Sequence, residues 1–230
     1  MRLLTALLVC LSPAFAQTWS LGLTIGGLLT DEFRPRYSDY TSEPHRLLVG
    51  PTARLQLDSG AGFEAGALRK AIGYRYAFGL RGLGFKESET KAAAWEFPLL
   101  FHYGHARARL TPFVNAGISL RRIAGARQTG RECTQLPTVQ CTLFARTEVR
   151  ELRSPTTTGL VIGGGMEVRL AWLRLSPEVR FTRWLSRPFT DPIASGNQVE
   201  LLVRIAVAVA GRSHRLQATG RPTYTSRHSR

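Results

Sequence analysis

The sequence predicts an all-β fold: an eight-stranded antiparallel up-and-down transmembrane β-barrel. Eight segments of about ten residues alternate apolar with polar or very small side chains, which is the period of a β-strand. The connections between these segments are alternately short and long. No uncharged run of about 18 residues, the length that a transmembrane helix needs, follows Gln17. An apolar face opposite a face with charges and glycines is typical of a barrel with lipid outside and a polar lumen.

The amino-terminal residues have the three parts of a secretory signal peptide. Met1 and Arg2 are the basic region, residues 3–11 are the apolar region, and residues 14–16 (Ala-Phe-Ala) form the cleavage site. We therefore expect a signal peptide at 1–16 and a barrel at 17–210. Residues 211–230 are rich in Arg, Ser, Thr and His without a periodic apolar face, which predicts a basic disordered tail.

The eighth segment has the clearest alternation, with Val199, Leu201 and Val203 on one face and Glu200 and Arg204 on the other. The predicted strands cover residues 18–28, 47–58, 62–78, 93–103, 109–121, 157–170, 173–182 and 197–210. Pro51 weakens the second strand, because proline cannot donate a ladder hydrogen bond. In the third strand the apolar phase shifts from odd to even positions near residues 68–71, which predicts a β-bulge.

The connections predict the orientation in the membrane. Three are short, at residues 59–61, 104–108 and 171–172, and the other four are longer, at residues 29–46, 79–92, 122–156 and 183–196. Outer-membrane barrels have short periplasmic turns and long extracellular loops. We therefore expect both termini on the periplasmic side, in the outer membrane of a Gram-negative bacterium.

The face opposite the apolar one carries the ionisable side chains. Ions in a narrow lumen need partners, because their desolvation costs several kcal/mol each. We predict a lumen charge network of Arg54, Glu64, Arg75, Glu96, Arg109, Arg121, Glu167, Arg169, Arg174, Glu178, Arg180, Glu200 and Arg204.

A soluble periplasmic barrel, lipocalin-like and ligand-binding, is the alternative, since periodicity alone does not say which face is outside. The ion-free apolar face and the asymmetry of the loops favour the membrane. Aromatic residues near the strand ends also favour it, as in interfacial girdles. These residues are Trp19, Tyr76, Phe78, Trp95, Tyr103, Trp172 and Trp184.

Two cysteines, Cys133 and Cys141, remain after the signal peptide and fall in the longest loop. In an exported protein such a pair predicts a disulfide. Zinc binding is the competing interpretation, but it needs two further ligands at suitable spacing, and the five histidines form no such cluster.

Residues 95–120, WEFPLLFHYGHARARLTPFVNAGISL, contain an E-x-P-L-L segment followed by P-F-V-x-A-G. This stretch resembles a hairpin of small bacterial outer-membrane barrel domains, the PorT-like and OmpA-like group. The resemblance implies an eight-stranded barrel without catalytic residues. The chain departs from the usual pattern at its last strand, which ends in Val209 and Ala210 rather than in an aromatic residue.

Composition and motifs exclude several function classes. The net charge of +15 comes mostly from arginines spread over strands, loops and tail, so we expect no nucleic-acid partner. His102 has no serine neighbour in its strand, so we expect no enzyme, no cofactor and no metal. An eight-stranded barrel is filled by its side chains, which makes a small pore a weak alternative, and a lipid-modifying enzyme is weaker still.

The remaining hypothesis is an integral outer-membrane protein with a structural or adhesive role carried by its extracellular loops. Outer-membrane lipid is the expected partner. The loop at 122–156 carries Arg127, Arg131, Arg146, Arg150 and Arg153, which suit lipopolysaccharide or another anionic surface polymer. A loop without any ligand is an equal alternative, and attachment of the tail to anionic lipid or cell-wall polymer is a further one.

Overall fold

The computed structural model describes residues 17–30, 39–42, 47–80, 84–104, 109–134, 138–149, 151–170, 172–189 and 195–209. The predicted signal peptide and basic tail lie outside the described residues. The strands are β1 (Gln17–Leu28), β2 (Tyr40–Ser42), β3 (Leu47–Leu57), β4 (Ala61–Gly66), β5 (Leu68–Leu80), β6 (Gly84–Gly104), β7 (Leu110–Thr134), β8 (Gln140–Arg146), β9 (Thr156–Leu170), β10 (Leu173–Trp184) and β11 (Asn197–Val209). In these ranges, no helix is long and apolar enough to cross a membrane.

The strands close into a ring of eight. Its order is β1, β3, β4 with β5, β6, β7, β9, β10 and β11, and β11 pairs again with β1. Every pairing in the ring is antiparallel, and all but the closing pair of β11 with β1 join successive strands of the barrel, as in an up-and-down barrel. Closure leaves no strand edge within the ring, which is what a hydrocarbon environment requires. The predicted fold class is confirmed.

The predicted bulge in the third barrel strand is wrong. β4 and β5 are one barrel strand, since Thr52 opposes Gly66 and Val49 opposes Arg69 in an unbroken register. The ladder is interrupted only at Ala67. Its N–H donates to the Pro51 carbonyl at 3.0 Å, but no bond returns, because proline has no N–H.

The shift in apolar phase therefore has another cause. Leu68, Ile72 and Tyr74 are buried inside the barrel, 1%, 4% and 1% exposed respectively. They occupy even positions like Glu64, so the inward face of this strand changes from charged to apolar along its length. Sequence alternation alone does not distinguish this change from an inserted residue.

The outward face of the ring is an apolar belt that covers residues 110–120 on β7, residues 95–103 on β6 and a shorter run, residues 61–67, along β4. On most strands it has about the height that a membrane-spanning strand needs. Large apolar side chains here are at least 40% exposed: Leu21, Leu23, Phe63, Phe97, Leu99, Phe101, Val114, Ile118, Leu160, Ile162, Val179 and Ile205. A continuous exposed apolar surface of this kind fits lipid rather than water.

Aromatic residues border the belt in part as predicted. Trp19, Tyr103 and Trp172 are exposed near the short turns, and Trp95 is exposed near the opposite rim. Trp184 is instead buried in the interior. Tyr76 and Phe78 also depart from the prediction, because β5 continues past the belt and carries both beyond it.

The long connections contain an additional sheet. β6 and β7 extend well beyond their predicted limits at residues 93 and 121, and they pair as far as Gly84 and Thr134. Beyond Trp95 and Leu120 their outward residues become mostly polar or small, but the hydrogen-bond ladder continues. We call the outer sheet β2, β5 above residue 69, β6 below residue 94, β7 above residue 122, and β8. Gly125, with a φ of 63°, occupies a register shift where the sheet leaves the barrel.

Candidate functional site

An alternating chain of charges fills the middle of the barrel. The Arg54 guanidinium donates to Glu64 at 2.6 and 2.9 Å and to Glu167 at 3.1 Å. Arg180 donates to Glu64 at 3.2 Å and to Glu178 at 2.9 Å. Residues two apart on a strand share a face, so Glu178 and Arg180 both point inward from β10.

A second cluster lies toward the outer sheet. Lys70 Nζ is 2.7 Å from Glu96 Oε1, and Arg121 Nη2 is 3.0 Å from the same oxygen. Gln198 accepts from Lys70 at 3.0 Å and from Trp184 Nε1 at 3.2 Å, and it also accepts from Arg121. The Arg121 guanidinium stacks over the Trp184 ring at 3.7 Å. Tryptophan thus shields one face of a buried cation.

Glu200 joins this second cluster through Gln198, whose amide donates to the Glu200 carboxylate. Together the two clusters, with Arg204, form the interior network. Arg204 differs from the other buried bases, because it donates to Thr52 at 3.1 Å and to the Ser20 hydroxyl at 2.9 Å rather than to a carboxylate. Its Nη1 has no partner among the described residues.

Two further arginines lie at the short-turn end of the network. Arg169 donates to Glu167 at 3.0 Å, and Arg174 lies 3.8 Å from Glu167 and donates to Gln56 at 3.3 Å. Their side chains are 28% and 13% exposed. The short-turn end of the interior is therefore more basic and more open than its middle.

Two residues predicted for the lumen lie elsewhere. Arg75 faces outward on β5, where it pairs with Glu89 at 3.8 Å, because the absent bulge leaves odd positions outside. Arg109 is exposed at the turn before β7 begins. Lys70 and Gln198 were missed. Lys70 is at an even position, like Glu64, and Glu96 lies opposite Leu68, two residues before Lys70. A third strand predicted without a bulge would therefore have placed Lys70 inside, near Glu96.

Small residues make room for the network. Gly163 on β9 faces inward, and a Cβ there would lie 2.8 Å from Glu178 Oε1. A larger residue would have to displace the carboxylate that Arg180 binds. Glycines among the inward positions of β9 are thus part of the charge arrangement.

An apolar plug closes the end of the barrel next to the outer sheet. Ile72, Tyr74, Ala94, Ile123 and Phe189 form one buried cluster. Phe189 reaches it from the connection between β10 and β11, which bridges to Leu152. Together with the interior network, the plug places buried side chains at successive levels along the barrel axis, as is typical of an eight-stranded barrel.

The outer sheet bears the remaining charges. On its outward face Arg131 pairs with Glu87 at 3.2 Å, and Lys91 with Glu89 at 2.7 Å. Among the described residues beyond the belt at the long-loop end, eleven arginines and lysines and six acidic residues lie outside the interior. Arg127, Arg131, Arg146 and Arg153 belong to this excess, whereas Arg150 lies outside the described residues.

β8 is the free edge of the outer sheet. Among the described strands it pairs only with β7. Cys133 and Cys141 lie directly opposite each other and form a disulfide, as predicted. Leu143 is 80% exposed on this strand. Beside it, Arg75, Glu87, Arg131 and Leu143 line a shallow cavity of about 470 Å³.

The interior also contains a histidine on β6. His102 is buried, and its Nδ1 lies 2.8 Å from Asn115 Oδ1. Within the described ranges, no group of three or more His, Cys, Asp or Glu side chains could hold a metal ion.

Comparisons with known proteins give remote similarities of fold. No family model and no curated protein matches the chain. The structure is similar to Neisserial surface protein A (11% identity, 83% of this chain and 96% of that chain, TM-score 0.37). It is similar to Ail, the attachment invasion locus protein of Yersinia pestis (10% identity, 84% and 96% covered, TM-score 0.36). Another similar structure is the translocator domain of autotransporter NalP from Neisseria meningitidis (11% identity, 90% and 92% covered, TM-score 0.28). The resemblance to PorT-like and OmpA-like domains stays a prediction.

Proposed function

We propose that this chain is an integral protein of a bacterial outer membrane that presents the outer sheet to the exterior, where it serves as an adhesive or structural contact surface. The observation that carries this proposal is the extension of β6 and β7 beyond the apolar belt. A barrel that only crossed the membrane would not need strands of 21 and 25 residues. The extra length builds a disulfide-linked sheet outside the lipid.

Neither pore nor enzyme activity is part of the proposal. The interior network and the plug occupy the space that a solute would need. Most of the buried charged side chains of the interior network contact two or more partners, which fits a rigid scaffold. The histidine in the interior is held by an amide rather than by a nucleophile.

The charge of the outer sheet favours an anionic partner. The excess of arginine is on the exposed part of β7 and β8, where Arg127 and Arg146 are exposed. Exposed arginines attract polyanions over about a Debye length, and the attraction weakens with salt. We therefore propose an anionic surface polymer as the ligand class.

Two experiments test the proposal. A protease site inserted beside Thr138 should be cut on intact cells, whereas one beside Trp172 should be cut only after the outer membrane is opened.

Cells that display the chain should bind an immobilised sulfated polysaccharide but not neutral dextran. Replacing Arg127, Arg131 and Arg146 by Gln should reduce this binding about tenfold, and Arg109→Gln at the opposite end should not. Equal binding by both variants would contradict the role of the outer sheet.

A further inference from the structure

Two arginines and a tryptophan lie side by side on the outer wall of the barrel. Arg69 on β5 is opposite Trp95 on β6, and Trp95 is opposite Arg122 on β7. Residues opposite each other on neighbouring strands are about 4.8 Å apart, so the two arginines flank the indole at about 10 Å from each other. We call this row the rim triad.

The rim triad lies where the apolar belt ends. The belt ends at Ala67 and Leu120 on these two strands, and Arg69 and Arg122 are the next outward positions. Tryptophan at such a level is typical of the interface between hydrocarbon and headgroups. In a membrane, the triad therefore faces headgroups rather than acyl chains or bulk water.

The charges of the triad have no acidic partner among the described residues. Arg69 and Arg122 are exposed and form no ion pair with any described residue, whereas the outward bases farther from the belt, Lys91 and Arg131, each pair with a glutamate. Arginine binds phosphate with two parallel hydrogen bonds. Two unpaired arginines at headgroup level thus offer two phosphate contacts.

The outer wall next to the triad carries small side chains. Ala71, Ala93 and Ala124 are also opposite one another, one step farther from the belt. Their small side chains leave space above the indole and between the two guanidinium groups. A sugar ring that bears phosphates fits such a surface, with the indole against the ring and the arginines at the phosphates.

From these observations we infer that the rim triad is a binding site for the phosphorylated headgroup of a membrane glycolipid in the outer leaflet. The inference rests on the proposed membrane placement. It differs from the proposed contact surface, because the ligand is in the same membrane and the site is on the barrel wall rather than on the outer sheet.

The chain supplies a matched control. Arg183 on β10 is also an exposed arginine directly beyond the belt, but its neighbours across the strands are Leu160 and Asn197 rather than a tryptophan and a second base. A general effect of rim charge would involve Arg183 equally. A site formed by the triad would not.

The test uses the full mature chain in nanodiscs of phosphatidylcholine that contain a fixed minor fraction of bisphosphorylated lipid A. The protein is then extracted in mild detergent, and the lipid A retained per barrel is measured by mass spectrometry. A shift in gel mobility between unboiled and boiled samples verifies that each variant is a folded barrel, so failure of the membrane placement is seen separately.

We expect Arg69→Gln with Arg122→Gln to retain about tenfold less lipid A than the wild type, Trp95→Leu to retain less, and Arg183→Gln to match the wild type. Dephosphorylated lipid A should not be retained. Equal retention by the double variant, an equal loss in Arg183→Gln, or retention of the dephosphorylated lipid would each overturn the site while leaving the barrel intact.

Discussion

Lys70 Nζ lies 2.7 Å from Glu96 Oε1 in the barrel interior, where both side chains are almost fully buried. Glu96 also binds Arg121, so one carboxylate neutralises two cations that share its site. This relationship makes Glu96 the most sensitive residue of the second cluster. Loss of the Glu96 charge removes the carboxylate that both Lys70 and Arg121 contact directly, whereas loss of Lys70 leaves Glu96 and Arg121 paired.

We therefore expect Glu96→Gln to lower the free energy of unfolding by about 3–5 kcal/mol, as breaking a buried ion pair does, and Lys70→Met to cost clearly less. Urea unfolding of the refolded barrel in lipid, followed by gel mobility, measures both. Glu89→Gln on the outer sheet is the control and should have little effect. A larger loss in Lys70→Met than in Glu96→Gln would contradict this assignment.

The alternation of side chains predicted most of the ring, because its outward residues must be apolar where lipid covers them. It predicted the ends of the strands less well. β6 and β7 continue beyond the lipid-covered part of the barrel, where outward residues need not be apolar. Alternation of apolar and polar residues cannot predict a strand that has polar residues on both faces. Nor could it distinguish a bulge from a change of the interior from charged to apolar, which is why Arg75 was placed inside and Lys70 was missed.

Because of the apolar belt, a charged side chain introduced on the outer wall should destabilise the barrel by an amount that depends on its depth in the membrane. Leu99 lies in the middle of the outward run on β6, and Thr156 lies beyond the belt on β9. We expect Leu99→Arg to destabilise the folded barrel by about 2–4 kcal/mol in lipid and Thr156→Arg by about 0–1 kcal/mol. Reversible unfolding in vesicles measures both. Equal costs at the two positions would be inconsistent with a lipid-covered belt.

The disulfide should stabilise the outer sheet and not the barrel. Cys133 and Cys141 are eight residues apart in sequence and join β7 to the edge strand β8. Replacing both by Ala should increase hydrogen exchange in residues 138–146, with a local cost of about 2–3 kcal/mol. The shift in gel mobility of the barrel should not change. A loss of that shift would mean that the ring depends on the hairpin.

The plug predicts a response to alkaline pH. Burial raises the pKa of the Tyr74 hydroxyl above its ordinary value of 10.0. A raised pKa means that the folded state favours the neutral phenol. The contribution of Tyr74 to stability is therefore complete below about pH 10 and is lost as the pH rises through the pKa of the folded state. Tyr74 packs edge-on against Phe189 at 5.8 Å, so ionisation should loosen the connection that carries Phe189.

Hydrogen exchange in residues 185–189, corrected for its intrinsic pH dependence, should therefore stay constant from pH 8 to about pH 10 and increase above about pH 10. Tyr74→Phe should remove most of that increase, because it has no group to ionise. An identical increase in the variant would show that another group controls the plug.

We propose that the ring is embedded in the outer membrane with its apolar belt in lipid. Membrane placement can be tested by the gel mobility of the mature protein, taken from outer-membrane fractions, before and after boiling in detergent. We expect the protein in this fraction, and we expect the unboiled form to run faster, as a closed barrel does. Recovery of the protein in the soluble periplasmic fraction, with no change in mobility on boiling, would contradict it.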